Sequence, residues 1–208
     1  MTKTIDQATG EAQQSPRKRI LAAARDLFYR NGIRAVGVEA IAEAASTNKM
    51  TLYRHFGSKD ELIAAYLRDL AKEGDDVWEA LTAAYPDDPH AQLEGWVQHV
   101  EQILSNLGEQ GCALANAAVE LREANHPARQ IIDEYKTRKR ERLVGLFRDA
   151  GYADPDRLAD EVFLLFEGAR ISIQCCGRSS GPATRLVGML RSLMADHAPR
   201  PHNRGSAG

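Results

Sequence analysis

A chain of 208 residues, 43% of them apolar, can bury a substantial core without a disulfide or metal staple. Its 27 Lys/Arg stand against 29 Asp/Glu, a formal charge of −2, which taken alone argues against a nucleic-acid partner. Cys112 and the adjacent Cys175 and Cys176 make no secreted disulfide framework, residues 1–15 carry no secretory apolar run, and no segment nears the ~20 apolar residues of a membrane span. A soluble protein of the reducing cytoplasm, with no membrane partner, is expected.

Helical period dominates from residue 15 onward. Ile20, Leu21, Ala24, Leu27 and Phe28 form one stripe, entered by Ser15-Pro16 as cap and first helical residue and stopped by Asn31-Gly32. Val38, Ile41, Ala42 and Ala45 mark a short second helix, which the polar stretch Ser46 to Asn48 interrupts. A third runs from about Lys49 to His55 and closes at Gly57. Ser58 and Glu61 then read as a capping box opening a long fourth helix to about Tyr85. Beyond it, Asp88-Pro89, His126-Pro127, Asp154-Pro155 and Gly181-Pro182 are start signals. They predict helices near 89–107, 113–123, 127–150, 156–176 and 183–197.

The sequence therefore predicts an all-α protein of about nine helices without strands or repeats. Four segments are expected: a disordered tail at 1–14, a three-helix domain at 15–62, a helical body at 63–198 and a second disordered tail at 199–208. The small net charge hides an asymmetry. Residues 1–60 hold ten Lys/Arg and six Asp/Glu, a balance of +4, which leaves −6 for the remainder; a basic head on an acidic body suggests two separate roles.

On the third helix Leu52 and Phe56 are four apart and must face the core, which fixes the rotation of the rest at about 100° per residue. Met50, Thr51 and Arg54 then point away from the core, with Tyr53 and His55 on the shoulders. In a DNA groove, Arg54 can give two hydrogen bonds to guanine, Thr51 can bond a base or touch a thymine methyl, and Met50 offers apolar contact. Tyr53 and His55 fall where side chains meet phosphate walls, and Lys49 can reach either surface. Lys59, in the first turn of the fourth helix, lies where free N–H groups and the helix dipole already favour an anion.

The stretch Thr51 to Leu62 (TLYRHFGSKDEL), within Ile20 through Leu67, resembles the most diagnostic part of the TetR (tetracycline-repressor-like) family of transcriptional regulators. The resemblance implies a homodimer whose recognition helices enter successive major grooves of a palindromic operator, acting as a repressor released by a small ligand. It also implies phosphate contacts at Tyr53, His55 and Lys59, with operator-dependent contacts at Lys49 to Thr51 and Arg54. Gly37 and Val38 depart from the family, which often has a capping Thr at the start of this helix; neither offers a hydroxyl.

In the body, Cys112, Asn116 and Glu120 follow at i, i+4 on a small-residue helix. Cys112 and Asn116 stand as candidates beside a cavity for an apolar or aromatic effector, with Trp96, Phe147, Phe163 and Phe166 as walls. Aromatic stripes usually build core, and Asn116 can equally tie two helices together. The family's last two helices make the dimer interface, so Phe163, Phe166, Ile173, Leu186, Leu190 and Leu193 are candidates for it. The run Lys136, Arg138, Lys139, Arg140, Arg142, interrupted by Glu141, reads as a solvated helix face.

Two other readings are weaker. Gly177 to Gly181 matches a G-x-S-x-G elbow formally, yet a helix precedes it and Pro182 follows, where a hydrolase needs a strand before and a helix directly after. No H-E-x-x-H or C-x-x-C occurs, and neither catalysis, a metal nor a cofactor is expected. A regulator sensing oxidation at Cys112, Cys175 or Cys176 would need an activated thiolate.

Overall fold

The computed structural model describes residues 14–198, apart from 107, 109 and 124. The tails expected at 1–14 and 199–208 lie outside these, residue 14 aside. Among the described residues there are nine helices and no strand: α1 (Pro16–Asn31), α2 (Val38–Ala44), α3 (Lys49–Phe56), α4 (Lys59–Ala84), α5 (Pro89–Asn106), α6 (Ala113–Glu120), α7 (Pro127–Asp149), α8 (Pro155–Cys176) and α9 (Gly181–His197). The chain divides between Tyr66 and Leu67 into two compact units, so α4 begins in the first and continues in the second.

The first unit closes around Ile20, Ala24 and Phe28 of α1, Ile41 of α2, Leu52 and Phe56 of α3, and Leu62 and Tyr66 of α4, all buried. Its helix starts are set by local chemistry. The Ser15 hydroxyl accepts from Lys18 N–H at 3.4 Å, the Asn48 side chain accepts from Thr51 N–H at 2.8 Å, and the Ser58 hydroxyl accepts from Glu61 N–H at 3.0 Å. Between α2 and α3, Ser46 takes a left-handed φ of 50° while its N–H reaches the Glu43 carbonyl and that of Thr47 reaches Ala42. Arg19 of α1 pins this turn by donating to the Ala45 carbonyl at 3.2 Å.

In the second unit α5, α7, α8 and α9 pack around a core that includes Trp96, Val100, Leu143, Phe147, Leu158, Phe166, Ile173, Leu186 and Leu190. Asp88, His126 and Asp154 cap α5, α7 and α8 with their side chains, accepting from Ala91, Ala128 and Arg157 N–H respectively. The fourth start signal works differently: Gly181 is already helical, and Ser180 caps without a side-chain bond. At Gly74, α4 comes so close to α7 that a Cβ would run into the Tyr135 hydroxyl.

One boundary departs from the expected pattern. Helix α6 was expected to reach 123 but ends at Glu120. Arg129 donates to the Ala118 carbonyl at 2.6 Å, occupying an acceptor that a further helical turn would use.

Candidate functional site

The exposed face of α3 is built outward from its two buried anchors. Leu52 is fully buried and Phe56 nearly so, held from outside by the Arg17 guanidinium 5.0 Å from its ring centre. With that side inward, Met50 is 82% exposed, Arg54 is exposed and Thr51 is half-buried.

Two other candidates of the head, Lys49 and Lys59, have polar partners within the protein. Lys49 Nζ is 2.6 Å from Glu39 Oε1 of α2 and 5.8 Å from the centre of the Tyr53 ring, so its charge is shared within the protein. The carboxylate raises the Lys49 pKa and Lys49 in turn lowers that of Glu39. Tyr53 is exposed. Lys59 Nζ donates to the Ile33 carbonyl at 2.8 Å, which ties the start of α4 to the α1–α2 connection. The Nε2 of His55 is enclosed without a hydrogen-bond partner. Gly37 caps α2 with no side-chain bond, as a residue without a hydroxyl must.

The body candidates separate into groups. Trp96, Phe147 and Phe166 are buried core. Trp96 stands 6.4 Å from Trp78 and 6.2 Å from Phe166, and Phe147 packs at 5.2 Å against Tyr152. Asn116 donates to the Gln110 carbonyl at 2.6 Å and accepts from Gln174 at 3.3 Å, so its amide ties the α5–α6 connection to α8. Cys112 is buried at the start of α6, where its sulfur accepts from Ala115 N–H at 3.4 Å and lies 4.0 Å from Lys136 Nζ.

The basic run on α7 is not the solvated face its composition suggests. Lys139 is only 7% exposed. Lys136 pairs with Glu167 at 2.6 Å, while Arg138 and Arg142 both hold Asp75 of α4, at 3.1 and 2.6 Å. The signal was present in the spacing: Ile132, Lys136, Lys139 and Leu143 follow at i, i+4, i+7 and i+11, one inward stripe of a helix. Lys136, Lys139, Glu167 and Arg170 are thus a polar cluster that reading by charge alone passes over, and they join Cys112, Phe163 and Phe166 in one place.

The dimer candidates also sort by burial. Phe166, Ile173, Leu186 and Leu190 belong to the chain's own core, and Leu193 is half-buried. The outward apolar side chains of α8 and α9 are instead Leu164, Ile171 and Met189, of which Leu164 is 70% exposed. Leu164 and Met189 flank a groove of about 610 Å³ between these helices. Gly177 to Ser180 form the turn between α8 and α9, preceded by helix and not by a strand.

A tight two-helix turn with an exposed polar face on its second helix, followed by an all-helical body, defines a helix-turn-helix DNA-binding protein. Residues 20–66 match the bacterial regulatory proteins of the tetR family. Over 63 residues the chain is 41% identical to the HTH-type transcriptional regulator UidR of Escherichia coli (strain K12), a match covering 30% of this chain and 32% of UidR's length. A tetR-type transcriptional regulator from Streptomyces avermitilis, sav143, is 31% identical with a TM-score of 0.71, covering 88% of this chain and 98% of that one. The fold is shared with SCO4454 of Streptomyces coelicolor, a TetR-family regulator, at a TM-score of 0.80 and 24% identity over 88% and 96% of the two chains. The chain belongs to the TetR family of transcriptional regulators.

Proposed function

We propose that the protein is a repressor that binds a palindromic operator as a homodimer and is released by a small molecule held in the helical body. The observation that carries the DNA-reading part is the rotation of α3: with Leu52 and Phe56 buried, Met50 and Arg54 project into solvent. Arg54 and Thr51 read base edges, Met50 adds apolar contact, and Tyr53, His55 and Lys59 hold phosphates, with Lys49 between the two groups. The exposed apolar side chains on α8 and α9 support the dimer, and the pairing of two heads matches two half-sites. The effector acts by binding more tightly to a state whose heads are wrongly spaced for DNA. Such a ligand needs an apolar or aromatic portion to lie against the body's aromatic side chains.

Selection of binding sites from random duplex DNA, followed by footprinting, tests this reading. An inverted repeat protected on both half-sites is the expected result. Binding that shows no sequence preference, or protection of a single half-site, would overturn it.

A further inference from the structure

Four charged groups meet inside the body, and the DNA-reading face uses none of them. Lys136 and Lys139 come from α7, Glu167 and Arg170 from α8. Lys136 Nζ bonds Glu167 Oε1 at 2.6 Å, and Arg170 Nη1 stands 3.9 Å from that same oxygen. Arg170 Nε is enclosed with no hydrogen-bond partner. Lys139 makes no hydrogen bond or ion pair among the described residues; its Nζ lies 3.9 Å from the Phe166 ring centre and 5.9 Å from that of Phe163. Three cations therefore surround one carboxylate that only Lys136 holds at hydrogen-bond distance, and the other two, Lys139 and Arg170, both adjoin the Phe166 ring.

Burying charge is tolerated when it is paired, and here the pairing is short by an anion. We propose that Lys139 and Arg170, beside Phe163 and Phe166, bind a small organic carboxylate with an apolar body, and that this anion is the effector. The identification of the anion as effector rests on the ligand-released reading above; the site itself rests on the cluster. A carboxylate suits it because a guanidinium offers a planar pair of donors and an ammonium a point charge, while the half-buried Phe163 ring offers apolar surface to the rest of the molecule. Lys136 and Glu167, each with 21% of the side chain exposed, mark the side from which solvent reaches the cluster.

Burial lowers the Lys139 pKa to about 7 against the opposing pull of Glu167, with Lys136 and Arg170 lowering it further. His99 on α5 and Cys112 at the start of α6 also interact electrostatically with Lys139, and Tyr135 does so with Arg170 and Glu167. An arriving carboxylate shifts that balance, so binding near neutral pH draws a proton onto Lys139 from solvent.

The test uses the full-length protein without DNA. Benzoate and octanoate, their neutral counterparts benzyl alcohol and octanol, and inorganic phosphate are titrated by calorimetry in buffers of differing ionisation heat. A carboxylate is expected to bind with proton uptake. The matching alcohol and phosphate should bind more weakly by about tenfold or more, and Lys139→Met and Arg170→Met, checked as folded by circular dichroism, should each lose about tenfold in carboxylate affinity. Equal binding of acid and alcohol, tighter binding of phosphate, undiminished binding by folded Lys139→Met, or no saturable binding by either carboxylate would overturn the site. The same carboxylate is then added to the protein–operator complex. Binding that leaves operator affinity unchanged would sustain the site and overturn its effector role; release of DNA that persists undiminished in Lys139→Met would sustain a ligand-released regulator and overturn this site.

Discussion

Lys139 Nζ lies 3.9 Å from the centre of the Phe166 ring, a cation against an aromatic face in the interior of the helical body. A desolvated contact of this kind contributes about 2 kcal/mol, whereas removing an ammonium from water costs several. The ring therefore softens the burial without offsetting it. Lys139 thus costs stability where it stands, the pattern of a residue kept for function rather than for folding.

The first prediction follows from that imbalance. The Lys139 pKa is about 7 in the folded protein and about 10.4 in an unfolded chain. Between these values the unfolded state holds more protons, so folding stability rises with pH, and the destabilisation is fully present below about pH 7. Lys139→Met removes it. Thermal melts should show the variant more stable than the parent by a few kcal/mol near pH 6.5, with the gap closing toward pH 10. His99, whose pKa burial also lowers, contributes to both proteins and largely cancels in the difference. A gap that is absent, or equal at both ends of the range, would contradict the buried-charge account.

The helix starts were legible because their signals are local: Ser15, Asp88, His126 and Asp154 bond N–H groups two or three residues ahead. The rotation of α3 was legible for a similar reason, since Leu52 and Phe56 leave one choice of inward side. The early end of α6 was not, because Arg129 acts on Ala118 from eleven residues away. Lys139 was hidden by the expectation that charge means solvent, although its spacing from Ile132 and Leu143 was that of a core position. The Glu39–Lys49 pair depends on how α2 and α3 cross, which neither helix encodes alone.

Arg54 provides the second prediction. Its side chain is exposed on the outward side of α3, so Arg54→Ala should fold normally. It should relax preference at one position in each half-site, costing about 1–3 kcal/mol there. Competition binding with operator variants measures this, and uniform weakening across all sequences would assign Arg54 to the phosphates instead.

Tyr53→Phe and Lys59→Ala should behave in the opposite manner. Loss of a phosphate contact weakens binding to every sequence, and removal of the Lys59 charge should lower the slope of log affinity against log salt by about one. Lys59→Ala also loses the bond to the Ile33 carbonyl, so its melting temperature must be recorded beside its affinity. Unchanged affinity and salt slope in both variants would remove Tyr53 and Lys59 from the interface.

Glu39 supplies a prediction with a gain. Its carboxylate neutralises Lys49 at 2.6 Å, and both side chains are more than half exposed. A pair in that setting contributes little to stability, so Glu39→Gln should leave the melt nearly unmoved. It frees an ammonium beside the recognition helix, and affinity for DNA of any sequence should rise most at low salt. Filter binding across a salt series decides it: unaltered low-salt affinity would place Lys49 away from DNA.

The last prediction separates the dimer face from the core beneath it. Leu164 and Met189 are exposed on α8 and α9, while Leu186, on the same pair of helices, is buried. If the outer face joins two protomers, Leu164→Arg and Met189→Glu place charge where apolar surface must be covered, and light scattering should report monomers of unchanged helix content. Operator affinity should then fall by more than about tenfold, because each head would have to find its half-site independently. Leu186→Ala should act through stability instead, lowering the melt by the equivalent of about 2–5 kcal/mol as a cavity opens. Monomers in the parent protein at the same concentration would overturn the dimer itself, and dimers that survive both charged substitutions would place the partner surface elsewhere on the body.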